Sequence, residues 1–118
     1  PDTVVKACEG RSVCIGACAD TGHWIRSGKN PLEALKKLEG RIISLHVKDV
    51  DRYAPDAADV PWGTGVGDVK ALLAEVHRQN IQPVFSIEYE APDGEDPFLE
   101  VAQCAEYFRK VSEELAYP

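Results

Sequence analysis

The sequence predicts an α/β fold built around a parallel sheet. Three short apolar runs, rich in β-branched residues, alternate with longer segments in which apolar residues recur at helical spacing. The short runs are almost continuously apolar, which is typical of strands covered on both faces. The resulting order of helix, strand, helix, strand, helix, strand and helix favours right-handed crossovers between parallel strands. With 118 residues the chain has room for one domain, which we place at residues 1–118.

The strands are predicted at residues 13–18, 42–47 and 84–87. Three strands are too few to close into a (β/α)8 barrel, which needs eight strands and typically about 250 residues. We therefore expect a partial barrel of about three consecutive parallel βα units. Between the second and third strands, residues 50–67 form a long loop rich in Asp, Pro and Gly, which is typical of a loop that contacts a substrate.

Residues that commonly begin helices mark where the predicted helices start. The three predicted starts are Asn30-Pro31, Asp68 and Asp96-Pro97. The first helix is expected to end near Gly40 and the second near Asn80, whereas the third has the longest helical period in the chain. Residues 3–9 are expected to be the end of an earlier helix.

Each predicted strand leads into a side chain that can bind a metal ion. In chain order these are Asp20, His46 and Glu88. Because the carboxyl ends of parallel strands meet on one face of a sheet, we expect the three side chains to converge there. A buried carboxylate without a cation is costly, so Glu88 needs a positive partner. The mixture of carboxylate and imidazole suits Mn²⁺, Co²⁺, Zn²⁺ or Mg²⁺ without choosing among them.

The same residues also have structural interpretations. His46, within Leu-His-Val, is typical of a histidine whose hydrogen bonds are satisfied in a core. Asp20 to His23 form a sequence typical of a turn with an Asx motif. Lys48 is a candidate contact for an acid or phosphate group, but a solvated lysine or an ion pair with Asp49 competes with that role.

A glycine-rich segment precedes the second predicted helix. Gly63-Thr-Gly-Val-Gly lacks the lysine pattern of a phosphate-binding loop and does not directly follow a strand. It is predicted to be a flexible turn into the helix that Asp68 caps.

Composition excludes several classes of function. The formal net charge of −7 argues against binding nucleic acid, because that affinity rests largely on Lys and Arg. No apolar run approaches the roughly 18 residues of a membrane span, and there is no basic and apolar leader, so we expect a cytoplasmic protein without a membrane partner. The four cysteines form no CxxC pair and are expected to be free thiols in the core, with a disulfide or a metal role as the alternatives.

Four segments together resemble the sugar phosphate isomerase/epimerase family, which shares the xylose isomerase-like barrel. They are Cys18-Ala-Asp-Thr-Gly-His23, Gly40-Arg-Ile-Ile-Ser-Leu-His-Val-Lys-Asp49, Gly63-Thr-Gly-Val-Gly-Asp68 and Ser86-Ile-Glu-Tyr-Glu90. The resemblance covers nearly the whole chain in order. It implies that the chain supplies the last three strands of such a barrel and is its C-terminal part.

The resemblance also implies roles for individual residues. Asp20, His46 and Glu88 match metal ligands, and His23 and Arg52 match positions that contact the substrate. In the ketose 3-epimerases of this superfamily, two glutamates bind the metal and exchange the proton at the reacting carbon. Glu88 resembles the second, and the first lies upstream of this sequence.

These implications predict a metal-dependent isomerase or epimerase of sugars or sugar phosphates. A carboxylate base removes a proton next to a carbonyl, and a Lewis acid holds the resulting enediolate. Glu88 would serve as metal ligand and acid/base, His23 would hydrogen-bond a substrate oxygen as a second catalytic residue, and Arg52 would add a cationic donor.

Two other classes stay open. The chain would be a catalytically inert fragment or an oligomerising module if its exposed strand edges are buried by self-association or by a missing N-terminal half. It would be an apurinic endonuclease-like DNA repair enzyme if its Asp-x-x-His motif and its strand-end ligands belong to the related barrel of that class. The acidic charge and the presence of only three histidines disfavour the second class.

Overall fold

The computed structural model describes residues 1–116 and contains ten elements. The helices are α1 (Asp2–Cys8), α2 (Thr21–Arg26), α3 (Pro31–Lys37), α4 (Val69–Arg78) and α5 (Phe98–Ala116). The strands are β1 (Ala17–Asp20), β2 (Ile42–Val47), β3 (Asp49–Val50), β4 (Asp59–Val60) and β5 (Val84–Ile87). The predicted alternation of helices and strands is confirmed, and α2, β3 and β4 are additional to it.

The main sheet is parallel and has the order β1-β2-β5. Asp20 lies opposite His46 across the first pair of strands, and His46 lies opposite Ser86 across the second. Since β2 is central, β1 and β5 are the edge strands of the sheet that the structure describes. β3 and β4 form a separate antiparallel ladder of two residues each.

Helices cover one face of the sheet. Ala19, Leu45 and Val47 point to this face and join the main apolar core. The helix residues of that core are Leu35, Val69, Leu72, Leu73, Val76, Cys104 and Val111. This packing explains the helical spacing of apolar residues in the sequence, because each helix buries one stripe against the sheet.

The opposite face of the sheet, here called the inner face, carries small and polar residues. Side chains alternate across a strand, so the residues between the core positions point away from the helices. They are Cys18, Ser44, Val84 and Ser86, which precede Asp20, His46 and Glu88 along the chain. The prediction that both faces of the sheet are covered is therefore wrong for the described residues, because Val84 on the inner face is 70% exposed.

The predicted helix starts are confirmed by their hydrogen bonds. The Asn30 side chain accepts the backbone N–H of Glu33 at 3.0 Å, which caps α3. The Asp68 side chain accepts the N–H of Ala71 at 3.2 Å, which caps α4. Phe98 donates its N–H to Oδ1 of Asp96 at 3.1 Å at the start of α5. Such side-chain caps satisfy backbone donors that the first helical turn leaves free.

The first strand begins later than predicted. β1 starts at Ala17 rather than at residue 13, and Val13 is 81% exposed. The guanidinium of Arg41 donates to the carbonyl oxygens of Arg11, Ser12 and Ile15 at 3.1–3.4 Å, so these groups take no part in the sheet. A long-range contact thus turns an apolar sequence into a loop.

The cysteines differ in their exposure to solvent. All four are free thiols, as expected, but only Cys8 and Cys104 are buried. Cys14 and Cys18 are exposed, so the expectation that they lie in the core is wrong. Cys14 belongs to the segment that Arg41 holds outside the sheet, and Cys18 lies on the inner face.

α5 is the longest helix, with 19 residues, and buries Cys104 and Val111. None of the helices within residues 1–116 combines the length and the apolarity needed to cross a membrane.

Candidate metal centre

Three potential metal ligands meet where the strands end. Asp20 is the last residue of β1, His46 lies next to the end of β2, and Glu88 directly follows β5. One ligand atom from each lies within 4.8 Å of the other two, and all three side chains are partly buried. Atoms of one coordination shell have such separations, so the two carboxylates and the imidazole fit a divalent ion.

The register of the sheet produces this convergence. Asp20 and His46 are paired neighbours on the inner face. Glu88 lies two residues beyond Ser86, the partner of His46, and its backbone N–H bonds to the Val47 carbonyl at 3.3 Å. That bond extends the pairing past β5, and the Glu88 side chain reaches back until Oε2 is 2.5 Å from Nδ1 of His46.

Asp20 also begins a helix that the sequence analysis missed. Its Oδ1 accepts the backbone N–H of His23 at 2.9 Å, which confirms the predicted Asx motif. The chain then continues as α2 instead of ending in a turn. This cap places the His23 ring at the rim of the site, 71% exposed, with Nε2 3.6 Å from Oδ2 of Asp20.

Lys48 is buried beside the three candidate ligands. Its side chain is 0% exposed, and Nζ lies 2.9 Å from Oε1 of Glu88 and 2.8 Å from Oε1 of Glu90. The expectations of a solvated lysine or of an ion pair with Asp49 are therefore wrong. The reason is that the side chain continues the inner face of β2, whereas Asp49 turns toward the loop that follows.

The electrostatics of this pair keep both groups charged. Burial by itself lowers the pKa of Lys48, but the hydrogen bonds to Glu90 and Glu88 outweigh it and raise that pKa. The hydrogen bond from Lys48, followed by that from His46, lowers the pKa of Glu88. Glu88 is therefore an ionised acceptor at neutral pH.

Arg26, Asp59 and Glu90 continue the charged cluster, and the first two of them were not found from the sequence. Arg26 Nη2 lies 2.5 Å from Oδ1 of Asp59, and its Nη1 lies 4.0 Å from Oε2 of Glu90. The backbone N–H of Glu90 donates to Oδ2 of Asp59 at 2.8 Å. The spacing of two residues between Glu88 and Glu90, which is visible in the sequence, places both on one side of an extended segment.

Arg52 lies in its own loop. Its guanidinium bonds to Asp51 at 2.5 Å and to Asp56 at 3.1 Å, and the side chain is half exposed. The structure thus places Arg52 with these two carboxylates, whereas it brings His23 and Lys48 next to the candidate ligands.

Asp49 fixes the base of the long loop. Its carboxylate accepts backbone N–H groups from Gly63, Gly65 and Gly67 at 2.9–3.0 Å, in addition to that of Val50. A Cβ atom on Gly67 would lie 2.9 Å from this carboxylate, so the close approach requires glycine. The glycine-rich segment is a turn into α4, as predicted, and its N–H groups are occupied by Asp49 rather than free for a phosphate.

The sequence matches the xylose isomerase-like TIM barrel family over residues 2–111. The chain therefore belongs to that family. The parallel pairing of β1, β2 and β5 is that of a segment of such a barrel.

Solved structures agree with this assignment. A xylose isomerase domain protein from Planctomyces limnophilus superimposes with a TM-score of 0.80 at 25% identity, over 99% of this chain and 45% of its own. A D-tagatose 3-epimerase-like protein gives 0.77 at 21% identity, over 98% and 42%, and shows the fold. A protein from Parabacteroides distasonis ATCC 8503 gives 0.58 at 42% identity, over 92% and 43%. The chain spans less than half the length of these proteins.

A shorter similarity connects the chain to two curated enzymes. Inosose dehydratases from two strains of Clostridium botulinum, Eklund 17B and Alaska E43, are 55% identical to it over 31 residues. That segment is 26% of this chain and 10% of each enzyme.

Proposed function

We propose that this chain carries the metal-binding strand ends of a metal-dependent sugar or sugar-phosphate isomerase or epimerase. The observation that carries the proposal is the convergence of Asp20, His46 and Glu88 within 4.8 Å from three separate strands. Isomerase and epimerase names among the structural relatives support the same class of reaction.

The proposed chemistry is proton transfer at a carbon next to a carbonyl. Asp20, His46 and Glu88 would hold a divalent ion, which would supply Lewis acidity beside the substrate carbonyl. Glu88 acts as the carboxylate that takes and returns the proton, because it is ionised and lies at the open end of the sheet. His23, at the exposed rim, donates to or accepts from a substrate oxygen. Arg52 remains a candidate contact for an acid or phosphate group.

Turnover is proposed to require more of the barrel than this chain contains. The ketose 3-epimerases that the sequence resembles use a second glutamate from an earlier strand, and the chain spans less than half of its solved relatives. We therefore propose metal binding for the chain itself and epimerisation for the protein or assembly that supplies the other glutamate.

Metal titration by calorimetry tests the proposal. Mn²⁺, Co²⁺ and Zn²⁺ are titrated into the chain and into the variants Glu88→Gln and His46→Ala, with His77→Ala as the control on the exposed side of α4. We expect one ion per chain in the parent and in the control, and loss of binding in the two site variants. Absence of binding in the parent, or unchanged binding in the site variants, would sink the proposal.

A second candidate function is assembly without catalysis. It is favoured by the two edge strands and by the exposed inner face, on which Val84 is 70% exposed. A chain that binds no metal ion but associates stably with itself or with another barrel segment would establish this function instead.

A further inference from the structure

We infer that Lys48 is a positioning residue that makes Glu88 a single-oxygen ligand of the metal ion. The inference rests on the proposed function, because it assigns a role toward the ion that Asp20, His46 and Glu88 would hold. Lys48 acts through Glu88 and does not itself touch the ion or the substrate.

The two oxygens of Glu88 face different partners. Oε1 lies 2.9 Å from Nζ of Lys48, whereas Oε2 lies 2.5 Å from Nδ1 of His46. A carboxylate that binds an ion through both oxygens must turn both of them toward it. Because the Lys48 ammonium holds Oε1 in an ion pair, Oε2 is the oxygen that faces His46.

Lys48 in turn is fixed from several directions. Its backbone N–H and carbonyl both bond to Oγ1 of Thr21 at 2.8 Å, and its ammonium also holds Oε1 of Glu90 at 2.8 Å. Gly22 packs against the aliphatic stem, where a Cβ atom would lie 2.7 Å from Cδ of Lys48. The ammonium therefore has a defined position, as is required of a group that orients a metal ligand.

Burial separates this role from direct contact with substrate. The Lys48 side chain is 0% exposed, whereas that of Glu88 is 33% exposed. A substrate entering the site meets Glu88 and the exposed His23 ring first. The influence of Lys48 on the reaction thus passes through the carboxylate that it orients.

The visible absorption spectrum of bound Co²⁺ tests the inference, because it reports coordination number without requiring turnover. The full chain is compared with Lys48→Met, which keeps the aliphatic stem and removes the donor. We expect Lys48→Met to bind Co²⁺ with weaker and shifted visible bands, because the released Oε1 joins the coordination shell. Lys70→Met, which removes an exposed lysine on α4, is the control and should keep the parent spectrum.

A second variant covers the case in which Lys48→Met does not fold. Gly22→Ala retains every charged group, and the added methyl displaces the Lys48 stem from its place. We expect the same spectral change. If Gly22→Ala and a folded Lys48→Met both keep the Co²⁺ spectrum of the parent chain, the inference is overturned and Lys48 is a purely stabilising residue. A parent chain that binds no Co²⁺ would overturn the proposed function as well, so the two failures are distinct.

Discussion

Arg26 and Asp59 form a buried ion pair 2.5 Å long that joins α2 to the short ladder of β3 and β4. The Asp59 side chain is 1% exposed, and its second oxygen accepts the backbone N–H of Glu90 beyond β5. One carboxylate therefore connects three segments that are distant in sequence. It anchors the backbone of Glu90, whose carboxylate pairs with Lys48.

Removing the cation of this pair should destabilise the fold strongly. Arg26→Met leaves Asp59 charged and buried without its main partner, and we expect a loss of about 3–5 kcal/mol in the free energy of unfolding. Urea denaturation measures the loss. The double variant Arg26→Met/Asp59→Asn should lose less than the sum of the single variants, and additive losses would show that the pair is not coupled.

Asp49 is expected to stabilise the chain through the loop that it closes. Asp49→Ala removes the acceptor of four backbone N–H groups, and we expect a loss of about 2–4 kcal/mol because these donors then lack partners. Asp56→Ala, in the same loop but 80% exposed, is the control and should be nearly neutral. Equal denaturation midpoints for the two variants would refute this assignment.

Glu75 on α4 should contribute stability that depends on pH. Its carboxylate bonds to Arg78 at 2.7 and 2.9 Å and to Gln79 at 2.8 Å, which lowers its pKa from 4.5 to about 2. A carboxylate whose pKa is depressed in the folded state contributes stability that is fully present above its unfolded-state pKa. That stability is lost as the pH falls toward the folded-state pKa. Arg78 is half exposed, so solvent screening limits the effect to about 1 kcal/mol at pH 7.

The corresponding experiment compares Glu75→Gln with the parent by urea denaturation between pH 7 and pH 3. We expect the difference in unfolding free energy to shrink steadily below about pH 4.5, as the parent carboxylate protonates in the unfolded state. Glu106→Gln, which removes an exposed partner of Arg109, is the control. A difference that stays constant with pH would exclude the proposed linkage.

Thiol reactivity should divide the cysteines into two classes. Cys14 and Cys18 are exposed and are expected to react rapidly with a chromogenic disulfide reagent. Cys8 and Cys104 are buried, and burial raises the pKa of the Cys104 thiol, so these two should react only when the chain unfolds. Two fast and two slow thiols in native buffer, against four fast ones in urea, are the expected result. Four fast thiols in native buffer would contradict this packing.

The chain is expected to self-associate unless the rest of a barrel is supplied. β1 and β5 are the edges of the described sheet, and exposed edges pair readily with other chains. Light scattering should give a dimer or higher oligomer that Val84→Lys, on β5, weakens. Val13→Lys is the matched control, since Val13 is also open to solvent but lies outside the sheet. A stable monomer of the parent chain would contradict the prediction.

Features fixed by neighbouring residues could be predicted from the sequence. Asn30 and Asp68 cap helices through bonds that span three residues, so their signal is local. The candidate ligands were found for a related reason, because the end of a strand is visible in the sequence and parallel strands end on the same side.

Features that depend on distant partners could not be predicted. Arg26 and Asp59 are 33 residues apart, and Lys48 and Glu88 acquire their contact only when β2 and β5 pair. Arg41 likewise converts an apolar segment into a loop through carbonyls about 30 residues away. The spacing of residues within one segment does not reveal such pairs, because each partner by itself resembles an ordinary surface charge.

The alternation of side chains along β2 makes the chain unequally tolerant of insertions. Leu45 and Val47 point into the core, and His46 points to the inner face between them. One residue inserted before Leu45 would exchange these directions, burying the imidazole among the helices and exposing the leucine. An insertion among residues 52–57 would lengthen a loop whose base Asp49 already closes, at a cost that grows only slowly with length. Length variation among related chains should therefore accumulate in that loop and be absent from the strand.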